Sequence, residues 1–348
     1  MDEAVPAGNV RRSRFWLYTP FVLLLLAAVA WSAAWFVIRN RAGEAFDAWL
    51  QAEARGGRQW TCQDRRIGGY PFRIEIACDA LSLKQGAVTA SFGRVEAVAQ
   101  IYQPRRVIAE IDGPLRATDG RVNVQAQWDL LQASIHLRPG GLQRASVAAR
   151  APRIAIAGLG PGEIATSGQS LELHLRPNPS RAAERAYDGA FSIRQARVPA
   201  LDNLVGGAEP TDLDGDVTLT QAEGFRGRPA AVELERWRTA GGQIDILMLS
   251  VAKGPRRMEA KGNLRLDEAH RPVGQLNAAA AGLDGLIGNV TGNRTGGALL
   301  GALLGQGSRA PAEGAKPQLT PLPPLRLEGG LLSLGPFVIP NVRLQPLY

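Results

Sequence analysis

One segment of this chain admits few structural solutions. From Phe15 to Ile38 the sequence reads FWLYTPFVLLLLAAVAWSAAWFVI, with no charged residue. As an α-helix rising about 1.5 Å per residue, it spans a hydrocarbon layer of about 30 Å with room for tilt. Arg11, Arg12 and Arg14 precede it, and Arg39 and Arg41 follow. Trp16, Tyr18, Trp31, Trp35 and Phe36 lie toward its ends, where amphipathic rings prefer the membrane–water interface. Pro20 falls early, where a missing N–H costs little. A cleavable signal peptide is the competing reading, because Ala28-Val29-Ala30 and Ser32-Ala33-Ala34 supply small residues for cleavage. The apolar run continues past both sites through Trp35, Phe36, Val37 and Ile38, so a retained anchor over 15–38 is expected. The short, more basic tail, 1–14, is expected in the cytoplasm by the positive-inside rule, with everything after about Arg39 on the other side.

Beyond the anchor the hydrophobic period changes. Phe46, Trp49 and Leu50 keep helical spacing, which predicts a juxtamembrane helix over 39–56 laying an apolar stripe on the domain. From Trp60 the period is two. Phe72, Ile74, Ile76 and Cys78 fall on one face, Arg73, Glu75 and Ala77 on the other. Leu81 and Leu83 continue out of phase, which predicts a bulge near Asp79. Similar alternation recurs at Val107-Ala109-Ile111, Val122-Val124-Ala126-Trp128, Leu171-Leu173-Leu175, Phe191-Ile193, Val232-Leu234, Ile244-Ile246-Met248 and elsewhere. With 40 glycines and 23 prolines punctuating these runs, the pattern predicts a mainly β fold. The expectation is a large antiparallel, curved sheet or β-groove with a few short helices, filling 57–305. Helical signals are confined to Ser180–Ala186, to Leu283, Leu286, Ile287 and Val290, and to GGALLGALLG at 296–305. In that last segment Leu299, Leu300, Leu303 and Leu304 oppose glycines at every fourth position. It is too short to span a membrane and reads as a helix packed on the sheet or an apolar lid. A Pro/Gly-rich linker, 306–324, and a closing β segment, 325–348, complete the chain.

Chemistry-bearing motifs are sparse. His136, His174 and His270 are far apart in the sequence, at no spacing that fits a zinc site or a nucleophile–base pair. No phosphate-binding or dinucleotide fingerprint occurs. Asp212, Asp214, Asp216 and Glu223 mimic part of a calcium loop, but Val217 stands where glycine is required, so a tight turn at Asp214-Gly215 is expected instead. No catalytic residue, metal or cofactor is expected. The formal net charge is +8, and all but four of the 40 basic residues are arginine. They are spread along the chain among acids, which disfavours nucleic acid and fits a domain held beside an anionic membrane. The two cysteines, Cys62 and Cys78, flank Gly68, Gly69, Tyr70, Pro71, Phe72 and Arg73. A hairpin turning at that motif would set the sulfurs opposite each other on adjacent strands, and an even pair suits an oxidising compartment. Two unrelated buried thiols are the alternative.

TCQDRRIGGYPFRIEIAC at 61–78, directly after a single anchor, resembles the opening of an uncharacterised alphaproteobacterial inner-membrane family, DUF2125. GNLRLDEAHRPVGQLNAAAAGLDGL at 262–286 and LPPLRLEGGLLSLGPFVI at 322–339 are similar to later parts of the same family. The Gly-Tyr-Pro-Phe-Arg motif is also similar to one in AsmA-like envelope proteins. The resemblance implies a single-pass bacterial inner-membrane protein with its domain in the periplasm, no known catalytic residues and, through the distant AsmA-like likeness, lipid handling.

The leading expectation is a membrane-anchored periplasmic protein that binds or passes lipid or another apolar molecule in envelope maintenance. Its groove would be lined by Ile74, Ile76 and Leu173 and covered by Leu299, Leu300, Leu303 and Leu304. Membrane lipids, and other envelope proteins, are the expected partners. The rival from another class is a structural envelope scaffold with a filled core and no ligand.

Overall fold

In a computed structural model of the chain, residues 15–159, 162–199, 202, 207–225, 229–282 and 319–348 are described. Helix α1 runs unbroken from Phe15 to Arg55, so the expected anchor and juxtamembrane helix form one rod of about 60 Å. It is long and apolar enough to cross a membrane. At its far end the predicted stripe packs: Trp49 lies between Phe46 and Trp60, with ring centroids 5.6 and 6.0 Å apart. The helix stops at Gly56-Gly57, where Gly57 takes a φ of 81° that other residues avoid.

The strands that follow form two sheets, and every pairing between them is antiparallel. The smaller has seven strands, in spatial order β1 (Gln59–Gln63), β4 (Ala80–Gln85), β5 (Val88–Phe92), β8 (Leu115–Thr118), β9 (Asn123–Gln127), β12 (Arg153–Ala157) and β13 (Glu163–Ser167). The larger begins with β2 (Arg66–Gly68), β3 (Arg73–Cys78), β6 (Val95–Gln100), β7 (Gln103–Ile111), β10 (Leu130–Arg138), β11 (Gly141–Arg150) and β14 (Ser170–Pro177). It continues through β15 (Tyr187–Ala196), β16 (Thr211–Leu219), β17 (Ile244–Lys253), β18 (Arg256–Leu266), β19 (Pro272–Ala281), β21 (Leu325–Glu328), β22 (Leu331–Leu334) and β23 (Phe337–Arg343), with β20 (Thr320–Pro321) beside β19.

The order of strands shows how the chain is wound. It makes a hairpin in one sheet, crosses, makes a hairpin in the other, and crosses back. Crossings fall at Asp64-Arg65, Asp79, Gly93-Arg94, Asp112–Pro114, Trp128-Asp129, Ala151-Pro152 and Gly168-Gln169. Backbone bonds stitch neighbouring crossings together: Asp79 N to Gln63 O at 2.9 Å, Asp112 N to Arg94 O at 2.7 Å, Asp129 N to Arg150 O at 2.9 Å and Gly168 N to Pro152 O at 2.9 Å. Up to β14 the domain is therefore two walls joined along one spine, with hairpin turns at the opposite rims. From β15 onward only the larger wall continues among the described residues. The phase change expected to be a bulge at Asp79 is one of these crossings, from β3 in one wall to β4 in the other.

Cys62 and Cys78 are joined by a disulfide, with Cα atoms 5.2 Å apart, but not as partners in a hairpin. The strand that pairs with β3 is β2, through Ile67 and Ile76, while Cys62 sits opposite Leu81 in the other wall. Asp64, at φ 47°, has already turned the chain out of β1. The bond thus fastens the two walls beside the spine. Closing a loop of 16 residues constrains the unfolded chain by about 3 kcal/mol in the chain-entropy account. The double variant Cys62→Ser/Cys78→Ser is expected to melt several degrees lower while staying folded. Equal melting of the two proteins without reductant would contradict a formed bond.

Three further expectations change. Val232-Leu234 is not a strand but part of helix α2, Ala230–Thr239, where Glu233 and Trp237, four apart, are the buried pair. Asp214-Gly215 is not a turn but mid-strand in β16, because Gly215 is covered by the Phe191 ring, which an added Cβ would overlap. Phe72 lies outside the strand and is 60% exposed, not interior. The expected short helix near Ser180 is present as a 3-10 helix, Pro179–Glu184. The Leu283–Val290 helix, the segment carrying Leu299, Leu300, Leu303 and Leu304, and the linker up to 318 lie outside the described residues.

Candidate functional site

Each strand of the larger wall alternates apolar and polar residues, and the register decides whether neighbours agree. They agree without a break. One row runs directly across eleven strands: Ile76, Ala97, Ala109, Ala133, Val147, Leu173, Phe191, Gly215, Leu249, Ala260 and Ala278. The parallel row farther from the spine is Ile74, Ala99, Val107, Ile135, Ala145, Leu175, Gly189, Val217, Ile246, Gly262, Leu276, Leu325 and Leu334. No polar side chain interrupts either row. On the opposite face the row beside the spine reads Glu96, Glu110, Gln132, Ala148, Glu172, Ser192, Asp214, Ser250 and Glu259, while the row between the two apolar ones is mixed: Glu75, Val98, Ile108, Ser134, Ser146, His174, Ala190, Asp216 and Met248. A one-residue slip at any strand would swap the two faces, so the continuity shows a single apolar surface running the width of the sheet.

The smaller wall presents its own apolar face toward the spine. Trp60, Cys62, Leu81, Leu83, Val124, Ala126, Ile154 and Ile156 are partly or fully buried, while Gln59, Thr61, Ser82, Lys84, Gln125 and Arg153 between them are exposed. Cys62 belongs to this face and Cys78 to the apolar face of the larger wall, so their bond shows that the two apolar faces meet there. Trp128 reinforces the same corner by donating its indole N–H to Ile111 O at 2.7 Å.

Away from the spine the walls do not fill the space between them. Beside the spine Ala149 on β11 is buried, whereas Leu173 and Leu175 farther out on β14 are 43% and 38% exposed. Ile135 and Leu137 on β10 are each 45% exposed. Among the described residues the buried apolar side chains are alanines and a cysteine, with Ile74, Trp35 and Trp237 the only large ones. A filled sandwich places Leu, Ile and Phe in its middle layer, nearly inaccessible. Here that layer stays open as an apolar trough on the larger wall, bordered by the half-buried Ile76 and the exposed Leu173, while Ile74 at the end of its row is buried.

Among the described residues the 3-10 helix Pro179–Glu184 and helix α2 lie away from the trough. The 3-10 helix lies over the polar side, where Arg181 reaches Asp245 at 2.5 Å, Asn178 reaches Asp188 at 2.7 Å, and the buried Thr218 donates to Asp188 at 3.0 Å. Helix α2 docks at the strand ends through Trp237, whose indole N–H bonds Thr220 O at 2.7 Å. Its Glu235 is held down to a pKa of about 2 by the Arg238 guanidinium first and then by the Tyr348 hydroxyl, which donates to it at 2.8 Å. A carboxylate so depressed stabilises the fold fully above its unfolded pKa of about 4.3, and that contribution is lost as pH falls toward 2. The parent is therefore expected to lose more thermal stability than Glu235→Gln between about pH 4.5 and 2. Parallel melting curves across that window would contradict the pairing.

The three histidines stay apart, with His174 beside Ser146 at 2.9 Å and His270 stacked on Tyr348 at 4.3 Å. No group of three metal-ligating side chains converges among the described residues.

What the sequence reading missed is the seat of the Gly68–Arg73 motif. Its turn docks on α1: Trp31 and Trp35 donate to the Pro71 and Arg73 carbonyls at 2.9 and 3.0 Å, and Arg39 donates to Ile67 O at 3.0 Å. Ser32 and the Tyr70 hydroxyl bond at 2.9 Å. The spacing of Trp31, Trp35 and Arg39, one helical turn apart, was the available signal.

Over residues 35–342 the chain matches a family described as uncharacterised protein conserved in bacteria, DUF2125, and it belongs to that family. No curated protein and no solved structure matches it.

Proposed function

We propose that this member of an uncharacterised bacterial family is a membrane-anchored envelope protein whose trough holds or passes the acyl chains of lipids. The observation that carries the reading is the unbroken apolar ladder, whose large side chains remain exposed where a core would bury them. Soluble domains rarely leave contiguous apolar surface of more than a few hundred Å² uncovered unless something binds there. A trough of this kind suits a ligand that is long, apolar and variable in length, because rows of Ala, Val, Leu and Ile make dispersion contacts without demanding a fixed polar pattern. No catalytic group is needed, and none is assigned. We place the anchor in the inner membrane with the domain in the periplasm, on the support of the more basic tail before α1 and of the disulfide, which suits an oxidising compartment.

Native mass spectrometry of the detergent-extracted full chain tests the reading. Mass increments matching phospholipid, persisting after the detergent shell is stripped, are expected. A bare polypeptide mass under conditions that preserve other lipid complexes would overturn it in favour of a structural scaffold.

A further inference from the structure

The docked turn has a consequence for how a ligand would reach the trough. The apolar run of α1 ends at Ile38, so Trp31 and Trp35 lie about 10 and 5 Å inside that end. The turn they hold is carried to the same depth. Polar backbone is costly to leave bare among acyl chains, and here the carbonyls of Gly69, Pro71, Phe72 and Arg73 are bonded. The carbonyls of Pro71 and Arg73 accept indole N–H groups, Phe72 O accepts from Ile101 N at 3.0 Å, and the Tyr70 hydroxyl bonds Ser32. Pro71 brings no N–H of its own. Two aromatic rings stand outward, Phe72 60% exposed and Tyr70 56%, with the Phe72 ring 5.9 Å from Trp31 and the Tyr70 ring 5.4 Å from Trp35, and the neighbouring exposed Arg73 is neutralised by Glu75 at 2.6 Å. Two residues beyond Phe72, the buried Ile74 begins the outer row, whose exposed members farther along are Ile135 and Leu175.

Resting on the lipid reading above, we propose that the Gly69–Phe72 turn is a lipid port. It sits among the acyl chains of the leaflet adjoining the domain, and chains pass over Phe72 directly onto the Ile74 end of the trough without crossing water. The occupant is a membrane phospholipid, selected by position and apolarity. A turn that only braced the domain would need the carbonyl bonds to α1 but not two exposed aromatic rings at hydrocarbon depth.

The test uses the full chain in vesicles of phosphatidylethanolamine and phosphatidylglycerol. A nitroxide on Phe72→Cys is expected to be accessible to oxygen and shielded from a water-soluble nickel relaxant. The same label on Gln125→Cys, on the polar face of the smaller wall, should show the reverse. Water accessibility at residue 72 equal to that at residue 125 would overturn the insertion. Phe72→Arg is then expected to slow capture of fluorescent phospholipid from vesicles about tenfold or more, the order set by a charge at hydrocarbon depth. Loading of the same variant from detergent-dispersed lipid should match the parent. An inserted label with unchanged capture from vesicles would overturn the port and leave an anchor. Absence of loading from detergent in the parent itself would instead overturn the lipid reading, whatever the depth of the label.

Discussion

Leu173→Glu is expected to abolish lipid capture and leave the protein folded. Leu173 lies mid-row in the larger wall and is 43% exposed, so a carboxylate there can keep its water in the empty trough. Substitutions at such positions change stability by roughly 0.5 kcal/mol or less, a shift in melting temperature of about 2 °C. An acyl chain laid along the trough would have to strip that water. Placing a carboxylate in hydrocarbon costs on the order of 2.5–3.5 kcal/mol, which is about a hundredfold in affinity. The two consequences separate the candidate functions. In a filled core the same substitution buries an unpaired charge and unfolds the domain. The measurement is thermal melting beside lipid co-purification. A collapsed melting curve, or an intact protein that still carries lipid, would each refute the trough as the binding surface.

The largest loss of stability is expected at Trp237, away from the trough. Its indole is 5% exposed, bonds Thr220 O, and lies so close on Gly242 that an added Cβ would overlap it. Trp237→Ala removes the largest apolar group that holds α2 to the sheet, at a cost of about 3–5 kcal/mol. It also leaves the Thr220 carbonyl without its donor. For a domain of this size the melting temperature should fall by about 5–8 °C. Trp237→Phe keeps most of the ring volume and should fall by less than half as much. A change within about 2 °C for the alanine variant would show that α2 is not docked through this residue. Lipid capture by the folded fraction should be unaffected, because α2 stands outside the trough.

How much of this was legible beforehand differs from element to element. The long apolar helix was written in the sequence outright, because an uncharged apolar run of that length satisfies its own backbone as a helix and is long enough to cross a membrane. The β class was equally legible, since period-two alternation is local. Shared sidedness was legible too: Ile74 and Ile76 fall on one face of β3 because side chains alternate along a strand whatever the strand pairs with. Val232-Leu234 misled because two apolar residues at spacing two fit a helix as well as a strand, and the Trp237 pocket settled the choice. Phe72 misled because alternation says nothing about where a strand begins, and the docking of Pro71 and Arg73 on α1 ends the strand before it.

The tertiary structure alone decided how the strands are distributed and what the apolar faces enclose. Nothing local in Asp79 or Gly93-Arg94 distinguishes a crossing between walls from a bulge within one. Both change the phase of alternation, and only the long-range pairing of β1 with β4 and of β3 with β6 tells them apart. The same pairing turned an expected hairpin disulfide into a bolt between two walls. Whether those walls close on a core or stand open depends on their separation away from the spine, a distance that no residue encodes by itself. It shows only in the folded chain, where Ile135, Leu173 and Leu175 stay more than a third exposed.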